Sequence, residues 1–270
     1  MGLTLKSVLK AIVLLTVIFT FVFPIYYMII LSISSPTHIP TGAIYPDFFF
    51  GKWYEATSGE WARCITNSLI ICSLSVIFNI LVTYPAGYVF SRYTFMADRH
   101  LFFWFLTNRM APPAALIVPY LIIWRSLGIW DTYQGTILAY SVFNIPLSVW
   151  LFTSFMKNIP KELDEQAFID GFSLLMYWRK IFIPASLPSI GIVSFFIWLF
   201  SWSEMFMSTI LTSFNSKPIN NLLFITLGRM GSGVEYGLAA AVGVITILPG
   251  LILLYWARTF LAKGFTFGRV

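Results

Sequence analysis

Four acidic residues crowd one short polar stretch of this chain: Glu162, Asp164, Glu165 and Asp170. They stand in Pro160–Pro188, PKELDEQAFIDGFSLLMYWRKIFIPASLP, between two long apolar segments. The punctuation predicts a helix. Asn158 can cap it, Pro160 fits its first turn, and Gly171 can end it after about ten residues. Ser173 can open a second short helix that runs through Phe182 and ends at Pro184. On the first helix Leu163, Ala167 and Asp170 share one face at i, i+4, i+7 spacing. Small Ala167 then admits a close approach, and the four carboxylates suit a groove with basic rims. The chemistry on offer is docking, with a solvated linker as the plainer alternative.

A second set of polar groups lies inside apolar segments. Ser194, Ser201, Glu204, Ser208 and Thr212 fall on one helical face. A carboxylate within a membrane is expensive and usually faces a cavity or a partner. Arg109 is its obvious countercharge, or else snorkels from the outer end of its own segment. Hydrogen bonding between helices through small polar residues competes with a pathway role. Trp198 and Trp202 can stack on the face of a ring-shaped ligand or simply pack. Together with Asn144, the residues Arg109, Trp198, Ser201, Trp202, Glu204 and Ser208 are the candidate substrate path. A similar stripe, Ser68, Cys72, Ser75, Asn79 and Thr83, reads as packing. Cys64 and Cys72 make no metal motif and no expected disulfide. No nucleophile–base pair stands out. The Gly51-Lys52 pair lacks the upstream glycine of a phosphate-binding loop and is followed by Trp53, so no ATP site is expected in this chain.

The elements that must position these groups are membrane helices. Charged residues are only 10% of the chain and hydrophobic ones 58%. A soluble domain carries about 25% charged residues. Six stretches reach the roughly 20 apolar residues of a span: Ala11–Ile33, Ser68–Phe90, Leu101–Trp124, Tyr133–Met156, Leu187–Leu211 and Leu238–Trp256. The first is too long for the core of a cleavable signal and is expected to stay as a helix. The net charge of +6 does not point to nucleic acid, because its distribution follows topology. Eleven Lys and Arg fall on the side that holds both termini, Ser91–His100 and Lys157–Ser186. The other side has Lys52, Arg63, Arg125, Lys217 and Arg229. That bias places both termini and the acidic loop in the cytoplasm.

The chain is expected to be one all-α membrane domain over 1–270, with the loop at 157–186 and a basic tail at 257–270. Two outward loops are long. Ser34–Asn67 is rich in aromatics and reads as an interfacial belt or as a docking surface. Thr212–Gly237 holds Gly228, Gly231, Gly233 and Gly237, which suits either a connector or a loop that reaches into a partner. Pro112-Pro113 interrupts the third segment and Pro146 the fourth, so bends are expected there.

Glu165-Gln166-Ala167, Asp170-Gly171, Ile181-Phe182-Ile183-Pro184 and Pro188 resemble the cytoplasmic coupling loop of ATP-binding cassette (ABC) import permeases. The resemblance extends from about Asn67 to the C-terminus. Asn67-Ser68, Ala86-Gly87-Tyr88 with Ser91-Arg92, Pro119, Leu127-Gly128, Thr132-Tyr133 and Trp202-Ser203-Glu204 are similar to the carbohydrate-type, six-helix members. Gln166 and Phe172 stand where that family usually has Ala, and Ser203 where it often has Asn. The resemblance implies half of a pore for a sugar, polyol or glycerol-type solute in a bacterial cytoplasmic membrane. It implies a second and usually different permease subunit, two ATPase subunits docked on the coupling loops, and an extracytoplasmic solute-binding protein. ATP and Mg would be bound by the ATPase. Glu162, Glu165, Gln166, Ala167, Asp170 and Gly171 would make the ATPase contact, and the tail would lie between the ATPase subunits. A stand-alone ion-coupled secondary transporter would explain Glu204 and Arg109 as an ion relay but not the coupling loop.

Overall fold

The structure, a computed structural model, describes residues 5–42, 44–228 and 235–266. Twelve α-helices run in order among them: α1 (Leu5–Ser32), α2 (Gly51–Ala56), α3 (Gly59–Arg92), α4 (Asp98–Arg109), α5 (Pro113–Ser126), α6 (Tyr133–Met156), α7 (Glu162–Ile169), α8 (Leu174–Tyr177), α9 (Ile183–Ser203), α10 (Phe206–Leu211), α11 (Ile219–Gly228) and α12 (Tyr236–Thr266). A π-helical turn, Trp178–Phe182, joins α8 to α9. No strand occurs among the described residues. By contact the chain forms two compact units, Met1–Arg63 with Leu223–Pro249, and Cys64–Leu222 with Gly250–Val270.

The first unit contains α1 and the aromatic loop. None of the most apolar window of Leu9–Ser32 is buried, so its apolar side chains are left for lipid or another subunit to cover. The loop after it is tied down locally. Ser35 donates to Asp47 through both its amide and its hydroxyl, and Tyr26 donates to the carbonyl of Ile44. Lys52 on α2 pairs with Glu235 at 2.6 Å and Glu55 at 3.0 Å. The Glu235 carboxylate is the chief reason that the Lys52 ammonium titrates above its ordinary value. Tyr45, Phe48, Phe50 and Tyr54 remain exposed.

In the second unit α6 packs on α4 and α9, and α10 packs on α5. Two apolar clusters hold it. One gathers Tyr84, Tyr88, Phe152, Met156, Ala167, Tyr177 and Phe182, with Val193 and Ile197. The other gathers Ile71, Trp124, Ala139, Tyr140, Phe143, Met207 and Leu211.

Among the described residues five helices are long and apolar enough to cross a membrane, and six spans result if one bent pair is counted together. That pair is α4 and α5, the expected third span. Its halves meet at 97° because Pro112 is extended, at φ −68° and ψ 124°, and Pro113 opens the next helix. A residue before proline is disfavoured from helical backbone, and proline itself suits a first turn. The expected fifth span is also broken. Helix α9 ends at Ser203, Glu204 is extended, and α10 restarts at Phe206. The second span is longer than expected, since α3 already begins at Gly59. The stretch Thr212–Gly237, expected to face outward, is not a plain loop, since α11 occupies Ile219–Gly228. Gly231 and Gly233 lie outside the described residues.

Candidate coupling surface and membrane pathway

The polar segment folds much as its punctuation dictates, with three corrections. Helix α7 has eight residues, Glu162–Ile169, with Lys161 at its N-cap position and no side-chain cap. Asn158 therefore does not cap it. Its amide instead closes a turn on the carbonyl of Phe155. Pro184 does not end the second helix. The wide π turn delivers it to the first turn of α9, where its missing N–H leaves no helical bond unmade. The third correction concerns which face of α7 turns inward. Asp164 and Ala167, three residues apart, are the buried positions, while Leu163 and Asp170 are exposed. Ala167 is 3% exposed in the Tyr177–Phe182 cluster. Its small size admits the close approach of this chain's own residues, so it is turned into the chain's own core.

Gly171 ends α7. It sits at φ +81°, the left-handed conformation that costs a residue with a Cβ about 1–2 kcal/mol. Its amide bonds the carbonyl of Phe168, and the amide of Phe172 bonds that of Ala167, the paired closure of a Schellman turn. Ser173 then caps α8, accepting from the amide of Met176. The outward face of this hairpin carries Glu162, Glu165, Gln166 and Asp170. It also carries Ile169, 84% exposed, and Leu175, 79% exposed.

The pathway candidates are brought together, mostly as partners of one another. Asn144 Nδ2 donates to Ser201 Oγ at 3.0 Å, buried. Ser208 is buried and donates to the carbonyl of Met205. Trp198 and Trp202 stack on each other, centroids 4.8 Å apart and planes 9° apart, and both are largely buried. Glu204 does not sit on a continuous helical face, because the chain breaks there. Its two carboxylate oxygens accept the amides of Met207 at 2.9 Å and Ser208 at 3.2 Å, closing the start of α10. Arg109 is not its countercharge. The guanidinium donates to the carbonyl of Phe143 at 3.0 Å and lies 4.6 Å from the Phe200 ring centroid. Of the set, Arg109 and Glu204 alone are not fully buried.

Two hubs are absent from the sequence-level candidates. Asp131, between α5 and α6, receives four backbone amides from Ser213, Phe214, Asn215 and Ser216. Asn67 fastens the same segment by donating to the carbonyls of Asn215 and Lys217. The other hub is Arg92 with Asp164 and Tyr177. Each joins segments far apart in the chain, and the Leu127-Gly128, Thr132-Tyr133 and Ser91-Arg92 motifs are the local signals nearby.

Comparison with known proteins decides the class. The family model for the binding-protein-dependent transport system inner membrane component matches residues 83–266. The chain belongs to that family. It is a multi-pass membrane permease of the ABC importer type, a transport subunit that is not itself catalytic. The trehalose/maltose transport system permease protein MalG of Thermococcus litoralis is 25% identical over 279 residues, covering 98% of this chain and 96% of that protein. The trehalose transport system permease protein SugB of Mycobacterium tuberculosis is 24% identical, covering 92% of this chain and 91% of its own length. Among solved structures, a bacterial ABC transporter involved in the import of the acidic polysaccharide alginate superposes with a TM-score of 0.81. It covers 94% of this chain and 95% of its own at 19% identity, which speaks for the fold.

Proposed function

We propose that this permease forms one half of the pathway for a small polyhydroxy solute of the sugar or polyol type, and is driven by a separate ATPase seated on α7. The observation that carries this is the outward face of the α7–α8 hairpin. Four polar or acidic groups and two apolar tips project from a hairpin whose first helix is sharply ended at Gly171. The solute class follows the sugar permeases to which the chain is similar. The assembly has a second permease subunit, two ATPases that bind ATP and Mg, and an extracytoplasmic binding protein. It sits in a bacterial cytoplasmic membrane with both termini inside. The tail from 257 adds to the ATPase contact, although its Gly268 and Arg269 lie outside the described residues.

Glu165→Lys reverses a charge on the exposed face, and Gly171→Asp strains the turn while meeting nothing within 4 Å. Both variants are expected to keep their membrane level and to lose most of the ATPase that co-purifies with the wild type. Full retention of the ATPase by both would remove α7 as the docking helix. The orientation is tested separately in intact cells. An impermeant thiol reagent should reach cysteines placed at Tyr54 and Phe214 and should miss one placed at Met96. Labelling at Met96 would invert the topology.

A further inference from the structure

Asp164 is the exception on the acidic helix. Glu162, Glu165 and Asp170 face outward, whereas Asp164 is buried. Arg92 Nε at the end of α3 stands 2.7 Å from Asp164 Oδ2. The Tyr177 hydroxyl of α8 donates to Asp164 Oδ1. Arg92 Nη1 also donates to the carbonyl of Met156, the last residue of α6, at 3.1 Å, and to that of Ile159 at 3.0 Å. The guanidinium lies over the Phe182 ring, 5.3 Å from its centroid. One arginine thus meets the end of α3, the end of α6, the turn that follows, α7 and the π turn.

We propose that Arg92, Asp164 and Tyr177 are positioning residues that fasten the coupling helix to α3 and α6, so that a displacement imposed on α7 by the ATPase carries those two helices with it as one body. The proposal rests on the assignment of α7 as the docking helix.

An eight-residue helix is not stable by itself in water, and α7 buries only Asp164 and Ala167. Ala167 supplies close packing but no directional bond. The ring of Phe168 rests on that of Tyr177, centroids 5.4 Å apart, but the directional hold against sliding or rotation in the seat comes from Asp164. Arginine suits the task because its planar guanidinium spreads the charge over separate nitrogens, so that Nη1 serves the two carbonyls while Nε lies against the carboxylate; an ammonium would have to make all three contacts from one nitrogen. A buried ion pair adds little net stability over well-packed apolar residues. What it does supply is a fixed geometry between the elements that it joins. The carboxylate is held from two sides, by Arg92 and by Tyr177, so α7 can neither lift away from α3 nor turn against α8 without breaking a buried contact.

The test uses the complete transporter purified with its ATPase, with Cys64 and Cys72 replaced by alanine. Spin labels are placed at Ser154→Cys on α6 and Lys161→Cys at the start of α7, both exposed positions. Pulsed EPR distances are recorded without nucleotide and after trapping with ATP and vanadate. The expected result is one narrow α6–α7 distance that does not change on trapping. In Arg92→Lys and in Tyr177→Phe, which removes only a hydroxyl, the distance should broaden and shift on trapping while the ATPase still co-purifies. A distance that already shifts in the wild type overturns the proposal, as do variants whose distances stay narrow and fixed. A wild-type complex from which the ATPase is missing would instead overturn the docking assignment beneath it.

Discussion

Replacing Asp131 with alanine is expected to remove most of the folded protein from the membrane. The side chain is nearly buried, at 6% exposure, and its backbone is held at φ 55°. Its carboxylate accepts the amides of Ser213 at 2.8 Å, Asn215 at 3.0 Å, Phe214 at 3.1 Å and Ser216 at 3.2 Å. The side chains of Asn215 and Ser216 add two longer bonds. Alanine leaves four backbone donors without their acceptor. Each unsatisfied buried group costs about 1–3 kcal/mol, so the loss is on the order of 4 kcal/mol even if water reaches some of them. That is a large part of a total stability of about 5–15 kcal/mol. An asparagine in its place would keep one acceptor oxygen but turn an NH2 group toward donors, so Asp131→Asn should fall between wild type and alanine.

Titration gives the same site a second signature. Burial pushes the Asp131 carboxyl up, but the amides of Ser213, Asn215, Phe214 and Ser216 outweigh it and hold the group below its ordinary value of 3.8. A carboxyl depressed in the folded state stabilises that state above the unfolded value, and the stabilisation disappears as pH falls through the folded value. Asp131→Asn should lack this acid limb below pH 3.8. The measurements are membrane level and thermal unfolding in detergent, at neutral pH and down through the carboxylate range. An alanine variant with the wild-type level and unfolding temperature would refute the assignment.

What the sequence discloses about this permease depends on how far apart the interacting residues lie. The end of α7 at Gly171 and the cap of α8 at Ser173 are legible because each is decided within one helical turn. The break at Pro112-Pro113 is legible as a break, but its 97° angle follows from the extended backbone that Pro112 takes up, φ −68° and ψ 124°, and a residue type does not state an angle. The inward face of α7 was not legible. Counting from Leu163 and counting from Asp164 both give a continuous stripe, and only Arg92, from a different helix, decides between them. Glu204 stands out as a carboxylate in an apolar segment. Its use in closing the start of α10 depends on an interruption with no proline or glycine to announce it. Asp131 is the hardest case, because its amide partners follow it by 82 to 85 residues. A local scan sees an aspartate in a turn and nothing more.

Gly87→Ala is expected to destabilise the second unit where α3 meets α6. A Cβ at Gly87 would lie 2.5 Å from the Cβ of Phe152 and 3.3 Å from the amide nitrogen of Thr153. A Cβ cannot swing aside as the end of a long side chain can, so relief requires α3 and α6 to separate. Small residues at helix crossings let backbones approach in this way. Overpacking a tight site costs about 1–3 kcal/mol and occasionally more, and a contact this near the backbone belongs at the upper end. Separation also strikes the Arg92 junction, since Arg92 is on the same helix just over one turn further on and must reach the carbonyls of Met156 and Ile159. Gly250→Ala on α12 is the control. Nothing lies within 4 Å of a Cβ there, and exchanging glycine for alanine inside a helix stabilises it by about 1 kcal/mol. Thermal unfolding of the purified chain in detergent compares the two. Gly87→Ala should unfold well below the wild type and Gly250→Ala at or slightly above it. If Gly87→Ala unfolds with the wild type, α3 and α6 do not cross as closely as described, and the seat of the Arg92–Asp164 pair must be redrawn.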